Sequence, residues 1–146
     1  MNNTSTISFD INTSDFTAAI GIAVWMDDVC VYQTDHLAEH KHIDHAVSDD
    51  DDGERELRIV VSGKTSEHTQ IDEQGNIIKD VVVNISNITI DEIDMTQLFN
   101  EKSVYTHDFN GTQPEIQDTF YGAAGCNGTI SLKFSTPIYL WLLENM

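Results

Sequence analysis

Four of the six histidines, His36, His40, His42 and His45, fall within ten positions, with Asp35 just before them and Glu39 and Asp44 between them. Imidazoles interleaved with carboxylates can bind a metal or exchange protons. On a strand, His40 and His42 project from one face and could share a metal ion. Their spacing matches no zinc pattern and no cysteine joins them, so the competing reading is a solvated surface segment that gains charge near about pH 6. Next comes Asp49-Asp50-Asp51-Asp52-Gly53-Glu54, with four carboxylates in a row. They repel one another unless water or a cation compensates them. An EF-hand needs oxygens at alternate positions and a Glu at the twelfth. Counting from Asp49, the twelfth is Val60, so that loop is ruled out. A calcium site of another kind, with Asp49 and Asp51 as ligands, is the remaining cation expectation beside a charged hairpin tip.

Catalytic signatures are weaker. Cys126 and His107 have the chemistry of nucleophile and base, but nothing in the sequence brings them together. The glycine-rich stretch Gly122–Gly128 lacks the Lys-Ser/Thr of a P-loop and the spacing of a dinucleotide fingerprint. Asn127-Gly128 reads as a two-residue hairpin turn. No enzyme and no catalytic residue are expected. Aromatic side chains are natural contacts for a saccharide. Tyr105 and Tyr121 lie near loops and are the ligand-facing candidates, whereas Trp25 and Trp141 sit inside apolar runs and are expected in the core.

Strands must position these groups. Ile, Val and Thr number 16, 10 and 14, against 7 Ala and 7 Leu, and β-branched residues suit pleated surfaces better than helices. Ile7, Phe9 and Ile11 alternate with polar residues, as do Leu57, Ile59, Val61 and Ile130, Leu132, Phe134. Ile20–Met26 and Val29–Tyr32 flank Asp27-Asp28 and predict a tight hairpin. Residues 33–53 are polar and end as a loop by composition. Glu73–Asn76 is the tip of a second turn. In Val81–Ile90 the apolar phase slips between Ile85 and Ile88, which predicts a β-bulge at Ser86 or Asn87. Thr96–Lys102 is one short helical turn. About eight strands with almost no helical period predict an all-β fold, an antiparallel β-sandwich of jelly-roll type, as one domain over residues 1–146. Residues 138–143 are apolar on both faces. Read as a strand, the segment lies in a sheet centre or meets another chain, with Ile138, Leu140, Trp141 and Leu142 as its interface.

The chain has 146 residues, 7 Lys plus Arg and 25 Asp plus Glu, for a formal charge of −18. No nucleic-acid partner is therefore expected, since a phosphate backbone demands cations. No apolar run of about 18 residues predicts a membrane helix, so no membrane insertion is expected. The N-terminus has neither a basic nor an apolar leader region, so no signal peptide is expected. Cys30 and Cys126 are expected as reduced thiols, with Cys30 buried in its apolar stretch.

Ile22–Val29 resembles the strand-turn-strand of many carbohydrate-binding modules of the jelly-roll type. Val83–Asp91 is similar to a later strand of those modules, where calcium often sits near the sheet edge. That resemblance implies a calcium-dependent carbohydrate-binding module. Lys64–Asp72, Tyr105–Thr112 and Thr136–Met146 resemble segments of short proteins encoded by tailed phages of marine cyanobacteria. This second resemblance implies an accessory virion component on capsid, tail or fibre, made in the host cytoplasm. Its partners would be other virion proteins or a second copy of itself, and its loops would touch host-surface glycans. Both imply a binding protein rather than a catalyst.

Overall fold

Alternating burial sets the architecture. In a computed structural model, residues 4–48, 53–63, 70–71, 73–75, 77–79, 81–107, 116–120, 123–124 and 127–145 are described. β1 (Thr4–Thr13), β4 (Lys41–Ser48), β8 (Val83–Ile90) and β12 (Ala123–Ala124) form one sheet in the order β12-β8-β1-β4, and β9 (Ile93–Asp94) pairs with β8. The other sheet has the order β11-β10-β13-β5-β2-β3. Its members are β2 (Gly21–Met26), β3 (Val29–Thr34), β5 (Gly53–Ser62), β10 (Val104–His107), β11 (Ile116–Thr119) and β13 (Gly128–Thr136). β6 (Gln70–Ile71) and β7 (Ile77–Lys79) make a separate ribbon around the turn at Glu73–Gly75. Neighbouring strands run antiparallel in both sheets.

Ile7, Phe9, Ile11, Ile85 and Ile90 of one sheet meet Ile22, Val24, Ile59, Ile130 and Phe134 of the other in one continuous core. Each such side chain contributes about 1.5–3 kcal/mol when removed from water. The chain is thus the expected antiparallel β-sandwich. The bulge falls where the phase slip predicts it. Ser8 pairs with Thr89 but Asp10 pairs with Ser86, so β8 spends three steps where β1 spends two. Asn87 takes φ +52° there, a conformation Asn tolerates better than most residues.

Four expectations are corrected. Residues 41–48, read from composition as part of a polar stretch and given no strand, are a strand paired with β1 from Thr4↔Ser48 to Ile11↔Lys41. Asn127-Gly128 is no hairpin turn, because β12 and β13 on either side belong to different sheets. Gly128 instead lets two strands approach: a Cβ there would stand 2.1 Å from the Thr106 carbonyl oxygen. Cys30 is exposed, because β3 is an edge strand and Cys30 lies opposite Trp25 on the outer face.

The last correction concerns residues 138–143, which form a helix, α2 (Ile138–Asn145). An unbroken apolar run has no period, so strand and helix cannot be separated by pattern. The Pro137 carbonyl accepts from Leu140 and Trp141 N–H and starts the helix. Ile138, Trp141 and Leu142 are buried at i, i+3 and i+4, while Leu140 is 57% exposed. Three of the four expected interface residues therefore belong to the chain's own core. Trp141 meets Phe134 edge-to-face at 6.0 Å between ring centroids. The other helix, α1 (Thr96–Lys102), occupies the predicted helical turn and buries Leu98 and Phe99.

Candidate functional site

The outer face of the six-stranded sheet carries a run of polar side chains across β5, β13, β10 and β11. Register places its side chains in rows. Trp25, Arg58, Ser131, Val104 and Thr119 follow one another across β2, β5, β13, β10 and β11. The next row holds Ala23, Val60, Thr129, Thr106 and Gln117. Between these strands and α2 lies a groove of about 450 Å³, lined by Glu56, Arg58, Lys102, Thr106, Gln117, Thr129, Ser131 and Lys133, with Trp141 and Asn145 among the α2 residues at its wall. The guanidinium of Arg58 is held in place. It lies 5.9 Å from the Trp25 ring centroid, donates to the Asp27 carbonyl at 3.0 Å and faces Glu56 at 3.5 Å. Glu56 also accepts from Ser131 Oγ at 2.7 Å. The groove therefore presents hydroxyls, an amide and ammonium groups on a rigid sheet. Rigid presentation of a few hydrogen-bonding groups is what orients a polar ligand.

A second cluster sits on the outer face of the other sheet. Asp10 pairs with His42, and Ser8 with Asp44, across β1 and β4. His42 Nδ1 lies 2.6 Å from Asp10 Oδ1, and its Nε2 lies 2.9 Å from Asp44 Oδ1. His40 Nε2 stands 3.3 Å from the same Asp10 oxygen. The bulge turns Asn87 so that its amide donates to Asp10 Oδ2 at 2.7 Å. Ser8 Oγ donates to Asp44. The Asn87 amide, then His42, hold the Asp10 carboxyl below its ordinary range. The Ser8 hydroxyl, then His42, do so for Asp44. Asp10 first, then Asp44, raise the His42 pKa. Opposite charges and donors favour the ionised carboxylates and the imidazolium.

No known protein family and no curated protein matches the chain. Among solved structures it is similar to vCBM60, one of the calcium-dependent carbohydrate-binding modules whose two families are linked by circular permutation. The TM-score is 0.50 at 16% sequence identity, over 88% of this chain and 89% of that one. What the two share is the fold.

The expected site residues separate in space. His40 and His42 share a face, as the alternation predicts, but they converge on Asp10, His42 through a hydrogen bond and His40 at 3.3 Å from the same oxygen. Among the described residues no group of three or more His, Cys, Asp or Glu side chains is placed to hold a metal ion. Asp49, Asp51, Tyr121 and Cys126 lie outside the described residues. Tyr105 is 3% exposed, because it takes the inward position on β10, packs on Phe120 and stacks on His107 at 4.0 Å. It cannot face a ligand. Trp25, expected inside, lies on the outer face beneath Arg58. The groove residues Thr106, Gln117, Thr129, Ser131 and Lys133 escaped notice singly. The common signal of Thr106, Thr129, Ser131 and Lys133 is outward position on β10 and β13, where Tyr105, Ile130, Leu132 and Phe134 are buried.

Proposed function

We propose that the chain is a non-catalytic carbohydrate-binding module that seats a glycan along the groove of the six-stranded sheet. The observation that carries this reading is the row of Thr106, Thr129 and Gln117 beside Ser131, on one outer face. A sugar ring offers hydroxyls that donate and accept at once, and hydroxyl and amide side chains match that capacity. The fold shared with a carbohydrate-binding module supports it. The virion-part reading has residues 138–143 as its candidate docking surface. Ile138, Trp141 and Leu142 pack into the core while Tyr139, Leu140 and Leu143 stay exposed on α2, and glycan binding is preferred on the shared fold.

Calcium is a separate question. The described residues do not fit it. The donors of the Asp10–His42–Asp44 cluster are spent on one another, and no other carboxylate group converges. A calcium requirement would rest on side chains outside the described residues, with Asp49 and Asp51 first. The groove itself binds through side-chain hydrogen bonds.

The test is a glycan array followed by calorimetry on the best ligand. Thr129→Tyr fills the groove from the central strand and should weaken binding at least about tenfold, with the melting temperature little changed. Binding that survives this substitution places the ligand elsewhere. Melting in calcium and in EDTA completes the experiment. A calcium-raised Tm that Asp49→Asn with Asp51→Asn abolishes would assign the ion to that run.

A further inference from the structure

We infer that the ligand of the groove is an anionic glycan, one carrying carboxylate or sulfate groups. The inference rests on the glycan-binding reading and names its ligand class. Only 7 cationic side chains stand against 25 acidic ones in the chain. Arg58, Lys102 and Lys133, three of those seven, line one groove, and Glu56 is the single carboxylate among its described lining residues. Arg55, a fourth cation, lines the adjoining hollow and is neutralised by Asp27 at 3.1 Å.

The Glu56 carboxylate is already committed to Arg58 and Ser131. Lys133 is its direct cross-strand neighbour on β13, yet no ion pair joins them. Lys102, at the end of α1, likewise has no ion-pair partner among the described residues. Two ammonium groups are therefore left over in a chain whose acidic side chains outnumber its cationic ones 25 to 7. A neutral sugar would leave them solvated and unused. A carboxylate or sulfate would accept charge-assisted hydrogen bonds from them, about twice as strong as neutral ones. At physiological ionic strength the screening length is about 8 Å, so a ligand seated here feels these lysines more than the distant acids. The same acids repel an anionic polymer from the rest of the surface, which leaves this groove as its point of attachment. Nucleic acid is the disfavoured anion. Single strands need aromatic platforms for their bases, and Trp141, the aromatic ring lining the groove, is only 8% exposed.

The experiment measures binding at about 0.15 M salt. The probes are oligogalacturonate, a sulfated galactan oligosaccharide, neutral galactan and an oligothymidylate. The proteins are the full chain and the Lys102→Gln, Lys133→Gln double variant. The carboxylated or the sulfated probe should bind about tenfold or more tighter than neutral galactan, and the double variant should lose that preference. The two charged probes tell which anion is read. Equal or tighter binding of neutral galactan overturns the inference and leaves the glycan reading intact. Binding of no saccharide, or of the oligothymidylate alone, overturns both. A preference for charge that survives the double substitution overturns the placement at these lysines. The wild-type comparison decides the ligand class even if the variant fails to fold.

Discussion

His42 bridges two carboxylates, and that bridge exists only while both ring nitrogens carry protons. Its folded pKa lies above the ordinary 6.5. The stabilisation is therefore complete below about pH 6.5 and is lost as pH rises through the raised value. Asp10 and Asp44 have folded pKa values below 3.8. Their share is complete above that pH and is lost as pH falls through the lowered values. The bridge is thus strongest between the two ranges. Thermal melting of the wild type and His42→Gln should show a larger gap in Tm at mildly acidic pH than at mildly alkaline pH. A gap that is constant with pH would mean that His42 stays neutral. The shared face of His40 and His42 was readable because a strand alternates with period two. Asp10 was not, since it reaches His42 from 32 positions away through a pairing register that no local pattern encodes. Tyr105 was misread for a similar reason: being near a loop in sequence says nothing about which face of β10 it occupies.

At the scale of elements, strands with strict alternation were legible together with their buried faces, and so was the bulge in β8. The edge strand β4 was missed because its outward side is histidine and aspartate, which composition alone assigns to a loop. Such an edge is also poorly suited to pairing with another chain. The helix α2 was missed because its run is apolar throughout and its face is chosen only by the sandwich beneath it. Tyr139 Oη donates to Asp91 Oδ2 at 2.6 Å and ties that helix to the β8–β9 turn. The same Asp91 accepts from Thr6 N–H at 2.8 Å. Ile138→Ala should destabilise the protein by about 2–5 kcal/mol, as for a fully buried aliphatic side chain. Leu140→Gln, on the exposed side, should stay within about 0.5 kcal/mol. Chemical denaturation of both variants checks this, and equal losses would contradict the helical placement.

The whole molecule folds against its own charge. A formal charge of −18 on 146 residues makes the compact state self-repelling. Salt at about 0.5 M shortens the screening length toward a few ångströms, so Tm should rise with sodium chloride from low to moderate concentration. A flat or falling curve would show that local pairing already outweighs the repulsion. That charge excluded phosphate polymers at first reading. It hid the opposite local sign of the groove, because Arg58, Lys102 and Lys133 come from three separate elements and meet only in the folded sheet.

The insertion in β8 has one more implication. Striking out Asn87 leaves Val83, Ile85, Ile88 and Ile90 in unbroken alternation, and Ser8 and Asp10 keep Thr89 and Ser86 opposite them. The ladder would close over the deletion without turning a single apolar side chain outward. The register therefore does not call for the surplus residue, and what would vanish with it is the Asn87 amide's hydrogen bond to the Asp10 carboxylate.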